Sequence, residues 1–374
     1  MGLFANVCTF AFVMKVHDIV YCGTAEEVRQ CKEAVSQFLE EWYSGNELLL
    51  VHTSGSTGYP KPLWVEKKRM LASARITCDF LGLKQGDTAL LCMSLDYIAG
   101  KMMMVRTIER GLRLVVVPPS GHPLNSFCSQ ISFAAMVPMQ VYNSLHVSEE
   151  RERLKHIRHL IIGGGSIDEA MAQELKLFPN AVWSTYGMTE TLSHIALRRL
   201  SGETASDSYL PFPGVHVSLD TDQCLVIDAP QVCQDQLVTH DIALLEEKDG
   251  YQQFRIIGRK DNVICSGGIK IQMEEVEQML RPVLSMPFMI TKKKDQKFGE
   301  IVVLLIEDPS VAETTILDGH SPSVLFSEDV FSRSFSSLPA YWHPRQVIAV
   351  PRLPMTETGK PARAEAERMV NRVR

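Results

Sequence analysis

A chain of 374 residues has room for two or three domains at roughly 150 residues each. With 45% apolar and 22% charged residues it has ordinary globular composition, which excludes global disorder. Thirty-eight basic residues against 44 acidic ones give a net charge of −6, so there is no bulk basic signature for nucleic acid or an anionic membrane.

The chain opens with an apolar stretch, residues 1–14, but no Lys or Arg precedes Lys15 and no small-residue cleavage site follows, as a secretory signal requires. Asn6 stands where a myristoylation signal needs Ser or Thr. The first confident element is a helix over 24–42. Thr24 and Glu27 form a capping box, and Val28, Cys31, Val35, Phe38, Leu39 and Trp42 recur at helical spacing. Ser44-Gly45-Asn46 ends it, and 48–52 reads as a buried strand. Strands are expected at 89–93, 114–117, 133–137, 160–162 and 181–184, alternating with helices at 69–81, 98–110, 139–146 and 167–177, the last opened by a second capping box of Ser166 and Glu169. Such alternation predicts a largely parallel sheet covered by helices. After Pro211 the segments 215–219, 225–227, 242–246 and 254–257 alternate at short spacing and predict a β-rich subdomain. The remainder contains a helix at 274–284, a buried strand at 301–306 and a Pro-bounded basic tail. The fold class is α/β: a large N-terminal domain, 1–260, of layered sheets and helices, and a small α+β domain, 261–374. No apolar run reaches the roughly 18 residues of a spanning helix. Nine cysteines without regular pairs or any Cys-x-x-Cys fit a reducing compartment and give no support to structural zinc. A cytoplasmic protein without membrane insertion is expected.

Six segments carry chemistry. Thr53-Ser54-Gly55-Ser56-Thr57-Gly58-Tyr59-Pro60-Lys61 combines glycines that expose backbone N–H groups with hydroxyls and an ammonium, the donors a polyphosphate needs. It is no Walker A loop, since Pro62-Leu63-Trp64-Val65 reads as a strand; a Gly/Ser hairpin loop is the alternative. Gly163-Gly164-Gly165-Ser166 ends one strand and opens a helix, a place where a ligand can approach backbone, though it equally suits a tight turn. Tyr186-Gly187-Met188-Thr189-Glu190 follows another strand and offers an aromatic face, a hydroxyl and a carboxylate; a buried tyrosine and a helix cap explain it as well. Gly258 to Asn262, Ser266-Gly267-Gly268 and the late Thr358-Gly359-Lys360 complete the set. His156 and His159 have ligand-like spacing but suit a solvated helix face.

Taken together and in order, the segments 53–61, 163–165, 186–190, 239–241, 255–268 and 358–360 resemble the acyl-adenylate-forming superfamily, which comprises acyl-CoA synthetases, adenylation domains and luciferases. The resemblance covers nearly the whole chain from about residue 48. It implies that 53–61 holds the β- and γ-phosphates of ATP through Thr53, Ser54, Gly55, Ser56, Thr57, Gly58 and Lys61. It implies further that Gly163, Gly164 and Gly165 line the adenine site, that Tyr186 beside Gly187 stacks on the base, that Thr189 contacts the α-phosphate and that Glu190 helps to hold Mg²⁺. Asp241 and Arg259 would bind the ribose, with Arg255 nearby; Asp261 would be the hinge of a mobile C-terminal domain. Gly267 and Gly268 would border the pantetheine path of CoA, and Lys360 would support adenylation.

Four departures stand out. His240 replaces the usual glycine before the ribose aspartate, Asn262 replaces the second of two common aspartates, and Pro361 follows Lys360 where an aliphatic residue is usual. The phosphate loop begins at residue 53, so much of the family's N-terminal subdomain is expected to be missing, leaving the acyl pocket more open or covered by another copy in a homodimer. Tyr97-Ile98-Ala99-Gly100, Val137-Pro138-Met139-Gln140 and Tyr186 to Thr191 look like o-succinylbenzoate–CoA ligases of menaquinone biosynthesis. Under that reading a carboxylate, ATP and CoA are the small-molecule partners, and a second substrate carboxylate needs a partner for which Lys101, His194 and Arg198 are candidates. Loading of a carrier-protein phosphopantetheine, or a non-catalytic nucleotide-binding homologue, are the alternatives.

Overall fold

A computed structural model describes residues 19–52, 62–125, 130–165, 167, 169–311, 314–317, 335–336, 338–356 and 361–372. The chain divides into two compact units. The first holds the described residues up to His216 together with Asp228–Gln236; the second holds Val217–Ile227 and the described residues from Leu237.

In the first unit, β1 (Ile19–Tyr21) leads into α1 (Ala25–Tyr43), followed by β2 (Leu48–His52), β3 (Pro62–Glu66), α2 (Lys67–Phe80), β4 (Thr88–Leu91), α3 (Ile98–Arg110), β5 (Arg113–Val116), β6 (Phe133–Met136), α4 (Pro138–Leu145), α5 (Ser148–Lys155), β7 (His159–Ile162), α6 (Glu169–Lys176), β8 (Ala181–Gly187), β9 (His194–Arg199) and β10 (Leu210–Pro211). Eight strands form one sheet in the order β1-β5-β4-β6-β7-β8-β9-β10. It is parallel from β1 to β8, and β9 and β10 run antiparallel. Parallel strands need crossovers, and the helices that supply them cover the sheet with apolar side chains. Leu90, Val115, Ala134, Leu160 and Val182 of the sheet pack with Val141, Leu145, Leu154 and Leu175 of α4, α5 and α6 in one buried cluster.

The predicted first helix is present with its capping box: Thr24 N–H donates to Glu27 Oε2 at 2.8 Å, and Glu27 N–H donates to Thr24 Oγ1 at 3.4 Å. Its last turn has no basic residue of its own. Lys67, at the start of α2, supplies one, donating from Nζ to the carbonyls of Glu41 and Trp42 at 2.8 and 2.7 Å, where the negative end of the helix dipole favours a cation. Ser166, half of the second predicted capping box, lies outside the described residues.

The second unit carries an antiparallel sheet β11-β12-β13-β14, from β11 (His216–Leu219), β12 (Cys224–Asp228), β13 (Leu237–Lys248) and β14 (Tyr251–Arg259). A 3-10 turn (Lys260–Asn262) leads to β15 (Val263–Ser266), β16 (Ile269–Gln272), α7 (Met273–Leu280), β17 (Phe288–Asp295), β18 (Gly299–Glu307), β19 (Thr315–Leu317), β20 (Gln346–Val350) and α8 (Arg363–Arg372). The second sheet runs β16-β15-β18-β20-β19, with β17 on β18. Alternation along β18 divides two cores: Val302, Leu304 and Ile306 pack with Val276 and Leu280 of α7, while Ile301, Val303 and Leu305 pack with Ala366 and Val370 of α8. The second unit thus begins at Val217, ahead of the boundary expected at 260/261. Across that boundary Gln272 donates to the Arg259 carbonyl at 3.0 Å. The expected basic tail is the amphipathic helix α8. Among the described residues the cysteines are free thiols, and no helix is long and apolar enough to cross a membrane.

Candidate active site

The first unit brings two of the singled-out segments to the carboxyl ends of neighbouring parallel strands. Gly163 follows β7, its N–H donating to the Met136 carbonyl at 3.0 Å. A β-carbon on Gly163 would lie 2.3 Å from Thr185 Oγ1, Gly164 has φ +80°, and a β-carbon on Gly165 would lie 3.3 Å from Pro138 Cγ. Glycines let this turn lie tight against β8 on one side and the start of α4 on the other. Gln140 fixes that start: its Oε1 accepts from Val137 N–H at 3.2 Å, and its Nε2 donates to the carbonyls of Cys92 and Ser120 at 3.1 and 2.9 Å.

Beside it, β8 ends in Tyr186 and Gly187. The Tyr186 ring is half-buried, 5.7 Å from the ring of Tyr209. A β-carbon on Gly187 would come within 2.2 Å of the Ser193 carbonyl. The reversal from β8 to β9 is held by Thr191, whose Oγ1 accepts from Met188 N–H at 3.0 Å and donates to the Ser193 carbonyl at 2.7 Å. Leu192 N–H donates to the Thr189 carbonyl at 2.9 Å. Thr189 is half-buried and Glu190 exposed on this turn. No group of three or more carboxylate, histidine or cysteine side chains gathers for a metal among the described residues. Glu190 is a single exposed carboxylate, the kind of donor Mg²⁺ takes alongside phosphate oxygens.

Beneath the turn lies a buried polar chain that begins at Arg106. Arg106 is 2% exposed on α3, and its Nη2 donates to Ser193 Oγ at 2.6 Å. Ser193 Oγ lies 3.1 Å from His194 Nδ1, and His194 Nε2 lies 3.2 Å from Thr77 Oγ1. Thr77 Oγ1 also reaches the Ser73 carbonyl at 3.0 Å. One order of protons uses every donor: Ser193 donates to Nδ1, Nε2–H donates to Thr77, and Thr77 donates to Ser73. Burial, reinforced by the charge of Arg106, holds the His194 imidazolium form well out of reach, so the ring is neutral. Burial also draws the Arg106 guanidinium down to about 10, which leaves it charged at neutral pH. Among the described residues no carboxylate pairs with it, and its Nε has no hydrogen-bond partner. An arginine directly after the apolar run Met102-Met103-Met104-Val105 is the sequence signal for this residue, and it lies outside every motif named above.

The three residues expected as partners of a second substrate carboxylate are differently disposed. Lys101 donates to the Leu50 carbonyl at 2.7 Å and stands 3.7 Å from Glu41, so its ammonium already ties α3 to β2. Arg198 lies over the Tyr209 ring at 5.5 Å and 3.5 Å from Asp207. His194 is the neutral member of the buried chain.

The second unit carries the other set. On β13 and β14 the paired residues Asp241 and Arg259 meet, with Arg259 Nη1 donating to Asp241 Oδ1 at 2.9 Å. Arg259 Nη2 donates to Asp261 Oδ2 at 2.9 Å, and His240 Nδ1 contacts both oxygens of Asp261 at 3.0 and 2.9 Å. Burial acts to raise the Asp261 carboxyl, but the hydrogen bonds and charges of His240 and Arg259 outweigh it and hold it below the usual aspartate range. Arg255 is exposed on β14. Gly267 and Gly268, with φ +57° and +84°, form the two-residue turn joining β15 to β16, which explains the pair structurally. The loop 53–61 and Lys360 lie outside the described residues. On the far side of Lys360, Pro361 bridges Met355, and Arg363 donates to both oxygens of Glu277 at 2.6 and 2.8 Å.

A family model described as AMP-binding enzyme matches residues 16–230. Similar proteins include the 2-succinylbenzoate–CoA ligase of Salmonella typhimurium, 25% identical over 296 residues, or 76% of this chain and 63% of that one. The ligase of the same description from Bacillus cereus is 24% identical over 387 residues, 94% of this chain and 76% of its own. The chain therefore spans less than two thirds of the S. typhimurium relative. The crystal structure of an acyl-CoA synthetase (AMP-forming)/AMP-acid ligase II-like protein from Dyadobacter fermentans is 31% identical, with TM-score 0.58 over 92% of this chain and 95% of that one. The o-succinylbenzoate coenzyme A synthetase of Bacillus subtilis, solved with ATP and magnesium ion, is 19% identical with TM-score 0.65 over 84% of this chain and 69% of its own, a likeness of fold.

Proposed function

The chain belongs to the AMP-binding enzyme family, and on that premise we propose that it is an AMP-forming acid–CoA ligase for a dicarboxylic aryl acid of the o-succinylbenzoate type. The observation that carries the activity is the pair of loops Gly163–Gly165 and Tyr186 to Glu190, side by side at the carboxyl ends of β7 and β8. That edge of an open parallel sheet is where α/β proteins bind nucleotides. In this reading one substrate carboxylate attacks the α-phosphorus of ATP and pyrophosphate leaves. A carboxylate needs no general base, so the protein contributes orientation and charge stabilisation. Thr189 and Lys360 act on the α-phosphate, Glu190 on the ion, Tyr186 on the base, and the loop 53–61 on the β- and γ-phosphates. Asp241 and Arg259 take the ribose hydroxyls. The thiolate of CoA, entering along Gly267 and Gly268, then displaces AMP after the chain turns at Asp261.

Arg106 supports the dicarboxylate. A buried cation without an anionic partner is costly, and a second substrate carboxylate would supply that partner beside Ser193. The test is acid-dependent release of AMP and pyrophosphate, run with o-succinylbenzoate, benzoate and a fatty acid, with the thioester identified by mass. CoA-dependent o-succinylbenzoyl thioester is the expected product. Acyl-adenylate that transfers only to a phosphopantetheinyl carrier would replace CoA as acceptor, and nucleotide binding without pyrophosphate release would refute the ligase.

A further inference from the structure

Resting on the reading of Asp261 as the pivot, we propose that His240 is a positioning residue that latches the pivot carboxylate to the strand carrying the ribose aspartate. The resemblance implies a glycine at position 240, and glycine has no side chain to make this bond. Two side chains converge on Asp261, and a further bond fixes the strand behind one of them. His240 Nδ1 reaches both carboxylate oxygens, at 3.0 and 2.9 Å. Arg259 Nη2 holds Oδ2 from β14 at 2.9 Å, and its other arm is committed to Asp241. Thr239 Oγ1 accepts from Asp241 N–H at 3.0 Å and fixes the backbone on which His240 stands.

The consequence concerns what nucleotide binding releases. When ribose hydroxyls engage Asp241 and Arg259, the Arg259 bond to Asp261 competes with the ligand. The His240 bond does not, because neither of its partners is a ribose ligand. His240 therefore keeps the 3-10 turn Lys260–Asn262 tethered through the adenylation step. The tether must break when the backbone at Asp261 rotates, so it adds to the barrier of the thioester step alone. Both side chains are about half exposed, 58% for His240 and 52% for Asp261, so the tether is that of a surface pair. A surface pair corresponds to a factor of about two to five.

The experiment compares the full-length protein with His240→Gly and His240→Gln. Hydrogen exchange of the peptide spanning 259–263, measured without ligands, is expected to quicken about two- to fivefold in His240→Gly and to return toward wild type in His240→Gln, whose amide still donates. Exchange in β17 and β18 should stay unchanged. In single-turnover assays His240→Gly should speed thioester formation from supplied acyl-adenylate by a similar factor and leave adenylation unmoved. Equal exchange at 259–263 in all three proteins overturns the latch. So does equal change in both half-reactions, the mark of a merely structural residue. Faster exchange with no adenylation by wild type leaves the latch standing and refutes the ligase reading. Should His240→Gly unfold, His240→Gln against His240→Ala carries the same comparison.

Discussion

Replacing Arg106 by Met separates stability from substrate recognition, because the two are predicted to move in opposite directions. The guanidinium is buried, charged at neutral pH and without a carboxylate among the described residues, so the folded state carries its desolvation cost. Its bond to Ser193 at 2.6 Å offsets part of that cost. Methionine removes the charge and keeps much of the aliphatic volume, while Ser193 Oγ retains His194 Nδ1 at 3.1 Å. Thermal stability should therefore hold or rise, by up to about 2 kcal/mol on the precedent of buried ions exchanged for apolar residues. A hydrogen bond to a charged group is worth about 1.5–3 kcal/mol, so losing it from a bound carboxylate should lower kcat/KM for o-succinylbenzoate by about 10- to 150-fold. Benzoate should change less than about threefold, within the scatter of ordinary surface substitutions. The assay is coupled pyrophosphate release with both acids, beside a thermal melt of each protein. Equal losses for the two acids, or a melt lowered by several degrees, would instead make Arg106 a structural residue.

Three further outcomes are expected. Lys360→Ala should lower the adenylation rate by about 10²–10³ while ATP affinity and thioester formation from supplied adenylate stay near wild type; a normal adenylation rate in the folded variant removes the lysine from the site. Gly163→Ala should destabilise by about 1–3 kcal/mol, because the new β-carbon falls 2.3 Å from Thr185 Oγ1, and the double variant with Thr185→Ala should recover most of that loss in a urea titration. Stability should fall between pH 7 and pH 5. Burial, with help from Arg158 and Arg199, lowers folded His159 to about 4, and burial with Arg106 holds His194 well below the usual imidazole range, so the unfolded chain binds protons at pH values where the folded chain does not. After discounting for the partial exposure of His159, that group accounts for about 1 kcal/mol at pH 5. Melting temperatures that stay flat over this range would contradict it.

The elements legible in the sequence are those whose burial is periodic. The first helix declared itself through Thr24, Glu27 and a stripe ending at Trp42, and β18 through six consecutive apolar residues buried on both faces. The misses lack that signature. In α5 only Glu150 and Leu154 are buried, so no stripe marks it. In α8 two buried residues, Ala366 and Val370, are hidden among charges. The motif order located the glycine turns and the Asp241–Arg259 pair, since backbone geometry and short-range pairing leave local traces. Arg106 and its link to Ser193 join residues 87 positions apart and left none.

The double-faced burial of β18 also governs how the second unit assembles. Its partner β17 is reached through a short turn, with Asp295 paired to Gly299, so that hairpin can form early from local contacts. On its other edge β15 reaches only Gly299, through Ser266, and β20, which pairs Val303 with Gln346, arrives only after some forty further residues have been made and threaded back parallel. Until then the strand Ile301 to Ile306 presents an open apolar edge, the kind of surface on which nascent chains associate with one another. Recovery on refolding should accordingly fall steeply with protein concentration, and a chain cut short before Gln346 should aggregate even though every residue of the β17–β18 hairpin is present.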